Sequence, residues 1–176
     1  MKRLISAALL ACLCWAGAVL AAAPHIEAAV PQARLAGSGL YTWFGLKVYT
    51  AELYVGPKGY APELPFALDL RYARDFKGRK IAVVSVEQME KIGAGTPQQR
   101  AVWQEKMQAL FPDVNENSHI TGVNVPGSGA RFFLDGAPLG SIDDPAFARA
   151  FFAIWLDPAT TAPELRKALL RQAAPQ

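Results

Sequence analysis

The chain has 176 residues with a formal net charge of +3, 52% hydrophobic and 19% charged residues, 2 Cys, 2 His, 14 Gly and 13 Pro. That is the composition of one ordinary globular domain, and it excludes a disulfide scaffold, a collagen-like repeat and a disordered tail. Lys and Arg number 18 against 15 Asp and Glu, with no basic run, so the concentrated positive field that nucleic acid requires is missing.

At the N-terminus, Lys2 and Arg3 precede an uncharged run from Leu4 to Ala23, and Val19-Leu20-Ala21 sets small or tolerated residues before a cleavage point after Ala21. This order predicts a secretory signal peptide over residues 1–21, a periplasmic protein, and a single domain over residues 22–176. A retained anchor is the rival, because a bilayer needs about 20 apolar residues, but the many small residues favour cleavage. Leu9-Leu10-Ala11-Cys12 also resembles a lipobox, which would leave a lipid-anchored form. Cleavage after Ala21 removes Cys12 and Cys14, and with them any disulfide, thiol nucleophile or thiolate ligand; it also leaves no stable membrane span. His25 and His119 stand far apart with no metal-ligand spacing, so both are expected on the surface or in loops, with no metal and no cofactor.

The segment from His25 to Ala36 is mixed and enters the fold as a strand near Ala33 to Leu35, followed by Gly37-Ser38-Gly39 as a turn or bulge. Leu40 to Val55 is rich in Tyr, Trp, Phe, Val and Thr, the pattern of one long strand or a hairpin, which Gly56-Pro57-Lys58-Gly59 ends. Phe66, Leu68, Leu70 and Tyr72 alternate with Ala67, Asp69, Arg71 and Ala73, as in a strand with one buried and one more polar face. Ile81, Val84, Ser85, Gln88, Met89 and Ile92 fit a helix closed by Gly93. A second helix begins at Thr96-Pro97, carries Trp103, Met107, Leu110 and Phe111, and stops at Pro112-Asp113.

His119 to Val125 and Ala130 to Leu134 read as strands joined by Pro126-Gly127-Ser128-Gly129, and Asp135-Gly136 is a hairpin signal. Asp144-Pro145 opens an apolar helix through Phe147, Phe151, Phe152 and Trp155, its acid serving as cap rather than as half of a catalytic pair with Asp143. Thr161-Ala162-Pro163-Glu164 has the form of a capping box for a last helix with Leu165, Leu169 and Leu170 inward. Strands, helices, strands, helices in that order predict an α+β domain with helices layered on a mainly antiparallel sheet.

Phosphate-binding, zinc-protease and serine-hydrolase patterns are all missing from the sequence. What stands out is the grouping of Tyr41, Tyr49, Tyr54 and Tyr60 around Trp43 and Phe44, which fits either strand residues under helices or a ligand pocket. Arg71 and Arg74 beside Tyr72 are the other candidates, with Arg71 placed on the solvent side by the strand alternation.

Gly37-Ser38-Gly39 followed by Lys47-Val48-Tyr49-Thr50-Ala51-Glu52-Leu53-Tyr54-Val55 resembles the chalcone isomerase-like family. Pro126-Gly127-Ser128-Gly129-Ala130, Leu134-Asp135-Gly136, Gly140-Ser141-Ile142, Pro145-Ala146-Phe147-Ala148, Ile154-Trp155-Leu156 and Pro163-Glu164-Leu165-Arg166 continue the likeness in order. It covers Ala33 to Leu170 and is strongest to the exported bacterial branch. The resemblance implies a large antiparallel sheet covered by helices on one face, with a ligand cleft between them. It does not choose among isomerases that close a chalcone ring, fatty-acid binders and non-catalytic helpers.

Carried over residue by residue, the arginine that receives an oxyanion or carboxylate in relatives falls at Tyr41, a neutral phenol. The tyrosine and asparagine of the plant enzymes have no counterpart between Gly78 and Asp113, and their C-terminal threonine falls at Ala153 or Ile154. Their strand threonine falls at Tyr49, where fatty-acid-binding relatives also have tyrosine. No catalytic residue is therefore assigned, since one lost oxyanion donor already costs about 10²–10³ in rate. The expected function is binding of a small apolar or amphipathic ligand, a fatty acid or aromatic acid, by Tyr41 and Tyr49. The alternatives are an isomerase of the intramolecular-lyase type on another substrate, and an envelope docking module.

Overall fold

The structure is a computed structural model and describes residues 22–176; the expected signal sequence, with Cys12 and Cys14, lies outside the described residues. Six strands follow one another as β1 (Arg34–Trp43), β2 (Leu46–Val55), β3 (Phe66–Tyr72), β4 (His119–Val125), β5 (Gly129–Leu134) and β6 (Ala137–Ile142). They form one sheet in sequence order, each strand antiparallel to the next. Helices α2 (Gly78–Lys91) and α3 (Pro97–Leu110) leave after β3 and return the chain to its neighbour β4, while α4 (Pro145–Leu156) and α5 (Pro163–Leu169) close the chain. This is the expected α+β layering.

Two of the five described helices open on side-chain caps that their sequences announce. Gln99 N–H donates to Thr96 Oγ1 at 3.2 Å and Thr96 N–H to Gln99 Oε1 at 2.9 Å, a reciprocal box that opens α3. Asp144 Oδ1 accepts from the Ala146 and Phe147 amides at 2.8 and 3.2 Å and caps α4. The capping box expected at Thr161 does not form. The cap of α5 is Ala162, whose amide donates to Thr160 Oγ1 at 3.2 Å, and Thr161 Oγ1 donates to Gln88 Oε1 of α2 at 2.6 Å. A bond to another helix has displaced the local one.

On β3, Phe66, Leu68, Leu70 and Tyr72 face the helices, as their alternation predicts. Against them α4 sets a row of aromatic rings: Phe152 lies 4.9 Å from Phe66, and Phe151 lies 5.3 Å from Phe132 of β5. Gly122 of β4 gives Phe152 its bed, because a Cβ there would stand 3.2 Å from the ring. The opposite face of β3 is less polar than its sequence predicts. Ala67 and Asp69 are buried under a short helix, α1 (Pro24–Ala29), whose Ile26, with Val30 just beyond it, packs on Ala67 and Val123. The mixed stretch before β1 is therefore helical at its start, while β1 begins at Arg34 as expected.

Gly37-Ser38-Gly39 lies inside β1 rather than in a turn, with a register shift between Leu35 and Gly37, the bulge alternative. A Cβ on Gly37 would come within 2.1 Å of the Ala168 carbonyl oxygen, so bare backbone is what lets α5 rest on this edge of the sheet. Leu40 to Val55 resolves into the end of β1, a two-residue turn at Phe44-Gly45, and β2. The described residues hold eleven elements and two apolar clusters.

Candidate functional site

Strand register brings Tyr41, Tyr49 and Tyr72 side by side across β1, β2 and β3 on the helix-covered face. The rings of Tyr41 and Tyr49 stack at 5.1 Å with 20° between planes, and Tyr72 meets Tyr49 edge-on at 6.1 Å. Trp155, from the last turn of α4, donates its indole N–H to the Tyr49 hydroxyl oxygen at 2.9 Å. The Tyr49 oxygen is thus oriented as an acceptor while its own proton stays free to donate. Burial pushes the Tyr49 hydroxyl well above the usual phenol range, with the Trp155 bond pulling the other way and Tyr72 and Tyr41 adding to the rise. Burial does the same to Tyr72. Both are neutral phenols at physiological pH, able to donate hydrogen bonds but carrying no charge.

The remaining tyrosines of the sequence grouping go elsewhere. Tyr54 lies on the opposite face of β2, its hydroxyl donating to Glu52 Oε2 at 2.8 Å, and Tyr60 packs on Phe66 at 5.2 Å. Arg71 is on the exposed side, where its guanidinium donates to Asn117 Oδ1 at 2.9 Å, and Arg74 is exposed as well. Trp43 and Phe44 sit at the tip of the β1–β2 hairpin.

The open face carries a polar group that sequence reasoning missed. Glu52, Asp69, Thr121 and Phe133 pair in one row across β2 to β5, and α1 lowers His25 onto it. Thr121 Oγ1 donates to Asp69 Oδ1 at 2.6 Å, His25 Nε2 meets Thr121 Oγ1 at 3.0 Å, and His119 Nδ1 meets Asp69 Oδ2 at 2.8 Å. With Thr121 donating to the carboxylate, its oxygen accepts from His25, which places the imidazole proton on Nε2. The His25 ring also lies 5.0 Å from that of Phe133. Burial lowers the His25 pKa from 6.5, opposed by Asp69 and assisted by His119.

The two histidines, expected on the surface or in loops, are partly exposed and line a cleft of about 590 Å³, where His119 meets Asp69 directly and His25 reaches it through Thr121. Their separation of 94 residues left no sequence signal; only the pairing of β3 with β4 and the folding back of α1 bring them together. The polar atoms of this network satisfy one another, and its evident work is to fasten α1 to the sheet. Among the described residues no group of three or more metal-ligating side chains is gathered.

Comparison with known proteins agrees with this architecture. The model of the chalcone isomerase-like family matches residues 18–171. An uncharacterized protein of Haemophilus influenzae is 32% identical over 137 residues, which is 76% of this chain and 66% of that protein. The chain thus spans slightly less than two thirds of that relative. The crystal structure of a fatty-acid binding protein of Arabidopsis thaliana superposes with a TM-score of 0.65 at 15% identity, covering 82% of this chain and 91% of the other. At that identity the likeness is one of fold.

Proposed function

The chain belongs to the chalcone isomerase-like family, and on that premise we propose that it is a non-catalytic binding protein for a small amphipathic acid. A fatty acid or aromatic acid would place its carboxylate on Tyr41 and Tyr49. The observation that carries this reading is the Tyr49 hydroxyl, fixed by Trp155 from one side and left with a proton to donate on the other. Tyr41 and Phe76 are half-buried against the core, Phe76 with its ring 5.7 Å from that of Tyr72, and they offer apolar surface near Tyr49 to an acyl chain or ring. A fatty-acid binding protein on the same fold supports the ligand class.

The same chemistry argues against turnover. A phenol that stays neutral receives an existing carboxylate, but Tyr41 offers a developing oxyanion less than a guanidinium would. We also place the protein in the periplasm, on the strength of Lys2, Arg3 and the apolar run that follows. A mass for the protein recovered from cells that begins at Ala22 is the expected result, and retention of Met1 would overturn that placement.

The binding test uses delipidated protein titrated with palmitate and with cinnamate, read by calorimetry. Losing one hydrogen bond to a charged group lowers affinity by about tenfold or more, so Tyr49→Phe should bind about tenfold more weakly than the parent. Tyr54→Phe, on the other face of β2, should bind as the parent does. Unchanged affinity in Tyr49→Phe overturns the site, and consumption of a chalcone dependent on the Tyr49 hydroxyl overturns the non-catalytic reading.

A further inference from the structure

The β1–β2 hairpin runs past the rest of the sheet. Pairing of β2 with β3 stops at Tyr49 and Tyr72, whereas β1 and β2 stay paired as far as Trp43 and Leu46. At this projecting end Phe44 is 87% exposed, Trp43 60% and Leu46 48%, and the Trp43 and Phe44 rings meet edge-on at 4.7 Å. Large apolar side chains collected on a protrusion are a contact surface rather than scattered exposure.

The turn itself departs from what turn chemistry favours. Phe44 and Gly45 both have positive φ, +46° and +76°, the backbone of a two-residue turn whose first place suits Asn, Asp or Gly. The β5–β6 turn of this same chain follows that preference with Asp135-Gly136 at +50° and +83°. A phenylalanine in left-handed backbone, without apolar cover, works against folding, so its position calls for a use outside the fold. Lys47 and Arg74 are both exposed at the neck of the hairpin, where the Ala73 amide bonds the Val48 carbonyl. Asp75, next to Arg74, is exposed too, its Oδ1 accepting the Glu116 amide at 3.2 Å, so the basic character of the neck rests on Lys47 together with Arg74.

We propose that the Trp43-Phe44-Gly45-Leu46 tip inserts into the interface of an anionic phospholipid bilayer, with Lys47 and Arg74 set against the headgroups. Trp and Phe favour the boundary between headgroup and acyl chain, and basic residues beside an apolar wedge add attraction to anionic lipid. The tip is convex, which suits a yielding surface. The inference stands whether or not Tyr41 and Tyr49 bind a ligand.

The test uses the Ala22–Gln176 span, whose residues hold every described element; this leaves out the apolar Leu4–Ala23 run except its last two residues. Trp103 and Trp155 are buried, so a change in solvent-exposed tryptophan emission reports Trp43. With vesicles of phosphatidylglycerol and phosphatidylcholine in equal parts, the emission should move to shorter wavelength and be quenched by bromine-labelled acyl chains.

Phe44→Ser should lower the partition coefficient by about tenfold or more while melting at the parent temperature. Lys47→Gln with Arg74→Gln should abolish the preference over pure phosphatidylcholine. Absence of a Trp43 shift overturns the proposal, as does parent-like partitioning of Phe44→Ser. A dimer dispersed by Phe44→Ser that ignores vesicles would show that a second copy covers the tip, and would overturn it too.

Discussion

Asp144 serves two helices with one carboxylate. Oδ1 accepts the first amides of α4, and Oδ2 accepts the Trp103 indole N–H of α3 at 2.8 Å. Burial alone would raise its pKa, but the bonds from Trp103, Phe147 and Ala146 hold it below the usual carboxylate range. Replacing Asp144 with alanine removes an N-cap and leaves a mostly buried indole without its acceptor. The expected loss is about 2 kcal/mol, or a fall in Tm of about 4–8 °C. Asp144→Asn keeps a good capping oxygen and should lose about half as much. A thermal melt of the pair checks the ordering, and equal loss in both variants would show that the second oxygen, which asparagine lacks and Trp103 needs, matters more than the cap. The cap was legible from Asp-Pro in the sequence; its second duty to Trp103 was not, because that contact spans 41 residues.

At the scale of elements, α1 is the part that answers to pH. Its His25 is held neutral by burial, with a folded pKa below the unfolded 6.5. Above pH 6.5 both states are neutral and the docking of α1 is at full strength. As pH falls below 6.5 the unfolded chain takes up the proton first, so stability is lost progressively until the folded pKa is passed. Hydrogen exchange at the Val30 amide, which bonds Ile26 O at 2.7 Å, should therefore quicken relative to Leu53 as the pH is lowered, after correction for intrinsic rates. His25→Asn should flatten that dependence. Protection that is constant with pH in the parent would remove His25 as its source. This helix escaped sequence reasoning because six residues carry too little periodicity to announce themselves, whereas α3 and α4 declared their ends through Thr96-Pro97 and Asp144-Pro145.

Among the described residues, the first strand of the sheet and the last helix of the covering layer are held together directly. β1 opens the sheet and α5 closes the chain, and they touch where Gly37 has no side chain. Alternation, turn residues and caps made the strand sequence and helix layer readable. Tyr41 and Tyr49 were singled out by the family resemblance, while their pairing across one hairpin came only with the strand register, since Leu40 to Val55 fits one long strand as well as a hairpin. The Asp69 network was not readable, because β3 and β4 become neighbours only after two intervening helices.

Gly37 tests this closure directly. A methyl group there would lie 2.1 Å from the Ala168 oxygen and 2.5 Å from the Leu169 oxygen, both backbone atoms with nowhere to go unless α5 lifts. At Gly39 the nearest atom is Cδ1 of Leu165, at 2.6 Å, the mobile end of a side chain, with Ala168 Cβ next at 3.1 Å. Gly37→Ala should therefore cost about 3 kcal/mol and Gly39→Ala distinctly less. Ser38→Ala, whose side chain is exposed on the other face, should cost almost nothing. Urea unfolding gives the comparison, with the midpoint moving and the slope preserved if the chain still unfolds as one unit. A second transition appearing in Gly37→Ala would show α5 coming away alone; the sheet would then stand without its last helix.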